Sequence, residues 1–197
     1  MKILSLVDGS KTTSFLAVML AIAAFLLCGC ASTASNGNDQ IVKAAIELAE
    51  EYRSLGRLED SIGVYDKALE RTYDYRLLYN KALTIANLGD FEQAAALCQE
   101  GHGSFPYILA FKKAQAKYYI ELERWQDAAS SYIEVLELDP YDTSTRKALI
   151  SLYVTNNEPS KAAEQATILW NQGYRTAETV GLMKVSLDPS LESSQED

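Results

Sequence analysis

Apolar residues recur every three or four positions from about residue 41 to residue 171, which is the period of an amphipathic α-helix. Short polar breaks divide this region into eight predicted helices, at 41–54, 58–71, 75–88, 91–102, 107–121, 125–138, 142–155 and 159–171. Pro106 and Pro140 each mark the end of a helix, because proline lacks the N–H that a continuing helix needs. A ninth, shorter helix is predicted at about 177–185. The pattern therefore predicts an all-α chain.

The predicted helices come in pairs, and the turn within each pair is similar in four places along the chain. These turns occupy residues 55–62, 88–95, 122–129 and 156–163. Counting from Gly56 to Gly89, Glu123 and Asn157 gives steps of 33, 34 and 34 residues. A helix–turn–helix unit of this length cannot bury its apolar face alone, so successive units are expected to stack.

Small side chains occupy positions where two paired helices must approach closely. They lie twelve residues apart, one on each helix: Ala49 with Ser61, Ala82 with Ala94, and Ala116 with Ala128. Larger residues at neighbouring positions are expected to fill the wedge between units: Tyr52, Ile85, Tyr119, Tyr153, Tyr65 and Tyr132. The fourth unit departs from the pattern at Ile150 and at Asn156-Asn157, as terminal repeats often do.

This period and this content resemble the tetratricopeptide repeat (TPR), from Val42 to Thr176. The resemblance implies a right-handed α-solenoid of about four helical hairpins, with the ninth helix as a short C-terminal cap. The TPR domain is expected to cover residues 41–186. Residues 187–197 are polar and acidic, which predicts a disordered tail.

The amino-terminal segment has the composition of an export signal. Lys2 and Lys11 precede an apolar run from Phe15 to Leu27, which is shorter than the roughly 20 residues of a membrane-spanning helix. The run ends in Leu27-Cys28-Gly29-Cys30-Ala31, which resembles a bacterial lipobox. The resemblance implies a signal peptide over residues 1–29 and lipidation of Cys30. The alternatives are an uncleaved single-pass anchor or an ordinary secretory leader.

Residues 30–40 follow the leader and are rich in Ser, Thr, Asn and Gly, which predicts a flexible tether after the lipidated cysteine. Acylation at Cys30 would attach the domain to a membrane in the bacterial cell envelope. The residue after Cys30 is Ala31, whereas an aspartate at this position would resemble a signal for retention in the inner membrane. In a cell with two membranes this favours the outer membrane, with the domain facing the periplasm; the alternatives are exposure at the cell surface and, in a cell with one membrane, a domain that faces outward.

Composition and candidate chemistry narrow the function further. The formal net charge of −9 gives no electrostatic basis for binding nucleic acid. Cys98 and His102 are four residues apart and could share a helix face, but Cys98 falls in the same column as Tyr65 and Tyr132. We therefore expect Cys98 and His102 to be packing residues. No phosphate-binding loop or nucleophile motif is present, so we expect no catalysis, no cofactor and no metal site.

The resemblance to TPR proteins places a concave groove along the first helices of successive units. Six residues of this register are the predicted partner-binding residues: Arg76, Tyr79, Leu83, Lys113, Lys117 and Lys147. Lys113 and Lys117 share one helix face, and Lys147 lies one repeat after Lys113. A basic groove with an aromatic anchor favours an extended or helical peptide that carries carboxylates. The alternative is that these lysines only keep the surface soluble.

The sequence thus predicts a membrane-anchored scaffold or adaptor for protein–protein interaction in bacterial envelope assembly. Its partner would be a protein segment, held as a peptide or a helix. The alternative function is a lipoprotein that carries a small ligand or substrate for a transporter.

Overall fold

A computed structural model describes residues 37–187, which form nine helices. The helices are α1 (37–54), α2 (Leu58–Leu69), α3 (Tyr75–Asn87), α4 (Phe91–Ser104), α5 (Ala110–Glu121), α6 (Trp125–Leu138), α7 (Thr143–Thr155), α8 (Pro159–Asn171) and α9 (Ala177–Leu187). No strand occurs among these residues. The predicted all-α fold is confirmed.

The helices pack in consecutive pairs. From α2 onwards each helix packs against the next one along the chain, and α3 also contacts α5 while α7 contacts α9. At the start of the stack, α1 packs on α2 and α3 through a cluster that includes Val42, Ala49, Tyr65 and Leu77. The arrangement is the predicted stack of about four hairpins, with α9 packed on α8 as a short C-terminal helix.

The small residues predicted at the close contacts within hairpins are confirmed. All six are fully buried: Ala49, Ser61, Ala82, Ala94, Ala116 and Ala128. In the fourth unit Ile150 and Ala162 take the corresponding places and are also fully buried. The column of Tyr65, Cys98 and Tyr132 is buried as predicted.

Two successive units meet most closely where α4 packs against α5. A β-carbon added to Gly101 would lie 2.3 Å from the Phe111 ring, which is fully buried. Gly101 therefore makes room for this ring, since any side chain at position 101 would overlap it. The α4 helix continues through Gly101 and Gly103 to Ser104, two residues beyond its predicted end.

Each turn within a hairpin contains one residue with a positive φ angle, and these are the four residues from which the repeat was counted. Gly56 and Gly89 have φ angles of 73° and 86°, while Glu123 and Asn157 have angles of 58° and 56°. Glycine adopts this left-handed conformation without steric cost, whereas the β-carbon of a glutamate makes it unfavourable. The backbone therefore follows the predicted repeat register, and the third unit keeps the turn conformation although Glu123 takes the place of glycine.

Two predicted boundaries need correction. Residues 37–40, assigned to the flexible tether, are helical, and the Asp39 carboxylate accepts a hydrogen bond from Arg76 Nη1 at 2.8 Å. This ion pair ties the start of α1 to α3, a tertiary contact that composition does not predict. Helix α5 begins at Ala110 rather than at residue 107, because Pro106 lies in a turn closed by the Ile108 N–H and the Phe105 carbonyl.

The predicted leader, Cys30 and the acidic tail from residue 188 onwards lie outside the described residues. Among residues 37–187, no helix is long and apolar enough to cross a membrane.

Candidate partner-binding groove

The six predicted partner-binding residues lie on the first helices of the second, third and fourth units. Arg76, Tyr79 and Leu83 are on α3, Lys113 and Lys117 on α5, and Lys147 on α7. Lys117 is exposed and the other five are half-buried, so none belongs to the buried core. Packing therefore leaves these side chains at a surface, as a partner-binding role requires.

Arg76 is held by two carboxylates. Asp74 caps the amino terminus of α3 by accepting a hydrogen bond from the Arg76 backbone N–H at 2.8 Å. The same carboxylate accepts from the Arg76 guanidinium at 2.9 Å, which, despite the opposing effect of burial, lowers the Asp74 pKa. Asp39 is the second carboxylate that pairs with Arg76. Because both carboxylates balance its positive charge within the chain, Arg76 is less available to a partner protein than the sequence predicted.

Tyr79 and Leu83 form the apolar part of this surface. The Tyr79 ring packs edge-to-face on Phe111, with ring centroids 5.8 Å apart, and Leu83 packs against the same cluster. Partial burial raises the Tyr79 pKa, and the positive charge of Lys113 opposes that rise. Because Phe111 lies on α5 two residues before Lys113, the Tyr79–Phe111 contact joins the second unit's apolar surface to the helix that carries Lys113 and Lys117.

An open cleft of about 290 Å³ lies between α5 and α7. Its lining residues come from three helices: Lys113, Lys117, Tyr132, Ser144, Thr145 and Ala148. The structure thus brings two of the three predicted lysines to one cleft. Lys147 is half-buried on α7 and is not among the residues that line it.

Asp142 is the residue of this site that the sequence analysis missed. Its carboxylate caps α7, accepting hydrogen bonds from the Thr145 N–H at 3.1 Å and the Thr145 hydroxyl at 2.7 Å. It also pairs with the Lys113 ammonium group. The burial of Asp142 would raise its pKa, but the hydrogen bonds from Lys113, Ser144 and Thr145 lower it well below its usual range. The sequence signal was Asp142 three residues before Thr145 and two residues after the helix-ending Pro140.

Lys117 is the cationic residue best placed to meet a ligand in this cleft. Its side chain is exposed, and within residues 37–187 it forms no ion pair. Lys113 is half-buried and already paired with Asp142. The groove therefore presents one accessible ammonium group beside a lysine–aspartate pair, with the Ser144 hydroxyl on the facing helix.

Comparison with known proteins supports the same reading of the repeats. The family model of the tetratricopeptide repeat matches residues 46–107. This match covers the last part of α1, all of α2, α3 and α4, and the turn before α5. Residues 46–107 therefore carry tetratricopeptide repeats.

Solved TPR structures share the fold over most of the chain. A TPR protein from Parabacteroides merdae has a TM-score of 0.65 at 16% identity, covering 78% of this chain and 63% of its own. YrrB, a TPR protein with an unusual peptide-binding site, has a TM-score of 0.57 at 18% identity, covering 77% and 78%. The first TPR domain of Spaghetti (RPAP3), bound to the HSP90 peptide SRMEEVD, has a TM-score of 0.53 at 20% identity, covering 60% and 94%.

Cys98 and His102 occupy packing positions of the second TPR unit. Cys98 is fully buried, and burial raises the pKa of its thiol to about 12, which opposes formation of a reactive thiolate. Burial also lowers the His102 pKa, and the positive charge of Lys112 lowers it further. Within the described residues no group of three or more His, Cys, Asp or Glu side chains could hold a metal ion.

Proposed function

We propose that this protein is a membrane-anchored adaptor that holds a carboxylate-bearing segment of a partner protein in the groove formed by α3, α5 and α7. The single observation that carries the proposal is the cleft between α5 and α7, which is lined by the exposed Lys117 together with Ser144 of α7. TPR proteins serve as protein–protein interaction scaffolds, and both YrrB and Spaghetti are described with peptides or peptide-binding sites.

The groove combines the two features that a peptide ligand needs. Tyr79 and Leu83 offer an apolar surface that is half-buried, and Lys117 offers a positive charge one unit further along. The chain has a net charge of −9, so an acidic ligand should bind at a local positive charge in preference to the rest of the protein surface. An extended segment could place an apolar side chain at Tyr79 and a carboxylate at Lys117.

The test is the affinity of the purified domain for three labelled peptides of equal length, rich in Glu, Gln or Lys. We expect the Glu-rich peptide to bind most tightly, with an affinity that falls as salt rises. Lys117→Glu should weaken this binding, and Lys67→Glu, which reverses an exposed lysine on α2, should not. Equal affinity for all three peptides, or binding insensitive to Lys117→Glu, would contradict the proposal.

Lys113 is deliberately left unchanged in this design. A carboxylate at position 113 would face Asp142, and repulsion between the two would disturb the cap of α7. Loss of binding in such a variant would not distinguish a missing contact from a damaged helix. Within residues 37–187 Lys117 has no such partner, so its reversal leaves the cap of α7 in place.

Anchoring through a lipid on Cys30 is the second part of the proposal, and the outer membrane facing the periplasm is the proposed location. It rests on the lipobox-like segment Leu27-Cys28-Gly29-Cys30. Wild-type protein should incorporate a labelled fatty acid and sediment with membranes, whereas Cys30→Ala should do neither. If Cys30→Ala still incorporated the labelled fatty acid, another residue would carry the lipid, which would contradict this part of the proposal.

A further inference from the structure

One exposed tyrosine lies in each turn that connects successive units, and a fourth lies in the turn from α8 to α9. The four residues are Tyr73, Tyr107, Tyr141 and Tyr174, in steps of 34, 34 and 33. Each stands two or three residues before the next helix, which begins at Tyr75, Ala110, Thr143 or Ala177. The tyrosines therefore follow the repeat register and lie along one edge of the stack, which we call the tyrosine edge.

Tyr107 and Tyr141 are the most solvent-exposed members of this edge. Their exposed fractions are 91% and 73%, and within the described residues neither hydroxyl forms a hydrogen bond. Exposed apolar residues accompany them, namely Pro106, Leu138 and Pro140. Tyr73, by contrast, stacks on Phe105. Packing among residues 37–187 therefore does not account for Tyr107 and Tyr141.

The chain enters the stack at this same edge. Asp39, near the described start of α1, pairs with Arg76 in the first turn of α3, directly after the turn that contains Tyr73. Cys30 precedes residue 37 by seven residues. Seven residues span at most about 25 Å. A lipid on Cys30 would consequently hold the tyrosine edge, rather than the opposite edge, near the membrane.

A phospholipid surface fits this edge. Tyrosine has an apolar ring and a polar hydroxyl, and it is enriched where membranes meet water. Because the chain carries a net charge of −9, zwitterionic head groups suit it better than anionic ones. The opposite edge carries the turns within hairpins, and its exposed apolar residues include Leu55 and Leu88 but no tyrosine.

We propose that the tyrosine edge, with Tyr107 and Tyr141 foremost, rests against the zwitterionic head groups of the membrane that holds the anchor. This inference rests on the proposed lipidation of Cys30. It assigns the anchored domain an orientation, with the turns between units facing the bilayer and the turns within hairpins facing away from it.

The test uses the full lipidated chain in phosphatidylcholine vesicles that contain a lipid with a quencher on its head group. A fluorescent thiol label is placed on Tyr107→Cys and on Tyr141→Cys. Leu55→Cys and Leu88→Cys, on the opposite edge, are the matched controls. The parent chain shows how much label reaches Cys98, which is fully buried.

Labels at 107 and 141 should lose most of their fluorescence, and labels at 55 and 88 should keep theirs. Equal quenching at both edges, or stronger quenching at 55 and 88, in chains that float with the vesicles would overturn the orientation alone. If wild-type chain floats no better than Cys30→Ala, the anchor fails, and the orientation fails with it.

Discussion

The junction between α4 and α5 and the junction between α6 and α7 are one repeat apart, yet they contain different chemistry. Gly101 and Phe111 meet at the first junction, where the ring fills the space against the helix. Val135 and Thr145 take the corresponding positions, 34 residues later, at the second. Thr145 is buried but small, and it lines the cleft that contains Lys117.

This difference shows how one repeat register supports both packing and binding. A large ring at the first junction closes the contact between units. At the second junction the threonine hydroxyl bonds Asp142, and Asp142 in turn pairs with Lys113 across the junction. Arg146 adds a buried cation whose guanidinium donates to Gln165 and to the Pro140 carbonyl. Polar interactions replace the ring there, and a cleft is left open.

The largest expected effect is at the closed junction. Gly101→Ala would place its β-carbon 2.3 Å from a buried ring, so we expect a loss of stability. Overpacking of a dense core typically costs about 1–3 kcal/mol, measurable as a lower urea midpoint. Gly103→Ala is the matched control, since nothing lies within 4 Å of its added β-carbon. Stability unchanged by Gly101→Ala would show that the junction is not closely packed.

At the open junction, removing the capping carboxylate should cost somewhat less. Asp142→Ala deletes an N-cap whose loss typically costs about 0.5–2 kcal/mol, and it leaves Lys113 unpaired. Thermal unfolding of the variant measures this cost. Asp90→Ala, which removes the exposed cap of α4, is a control for an N-cap without a lysine partner. A smaller loss for Asp142→Ala than for Asp90→Ala would argue against the lysine pairing.

The same residue gives the open junction a pH dependence. The folded protein holds the Asp142 proton less tightly than the unfolded chain, whose aspartate pKa is about 3.9. The carboxylate thus stabilises the fold above that pH, and this contribution is lost as the pH falls. The stability difference between wild type and Asp142→Asn should therefore shrink as the pH is lowered from 7 to 3. A constant difference across that range would exclude the charge as its source.

The smallest changes in stability are expected at the two turns within hairpins that precede these junctions. Glu123→Gly should raise stability, because glycine relieves a left-handed backbone that typically costs about 1–2 kcal/mol in other residues. The gain is reduced by the greater flexibility of glycine in the unfolded chain. Gly89→Ala, at the corresponding turn, should lower stability through φ alone, since no atom lies within 4 Å. Chemical denaturation measures both changes, and a destabilising Glu123→Gly would contradict this account.

The repeated architecture could be predicted from the sequence because it depends on local pattern. Helical periodicity, the twelve-residue spacing of small residues and the register of Gly56 and Gly89 all act within one hairpin. Each of these patterns reappears in the structure as a helix, a buried contact or a positive φ angle. The start of α1 escaped prediction, since it depends on an ion pair between Asp39 and Arg76, 37 residues apart.

The groove could be placed from the sequence, but its charge could not. The register put Lys113 and Lys117 on one face, and the structure places both in one cleft. Whether a lysine is available to a partner depends on which acid it meets, and Asp142 reaches Lys113 only after α5 and α7 have packed. Lys117 thereby becomes the residue on which the proposed binding depends.

The most direct test of that proposal is site-specific photo-crosslinking in living cells. A photoreactive residue at position 144, in the cleft, is compared with one at position 130, exposed on α6, in wild-type and Lys117→Glu chains. We predict a protein adduct from position 144 that disappears in Lys117→Glu, and none from position 130. Adducts from position 130 alone, or an undiminished adduct in Lys117→Glu, would contradict the account.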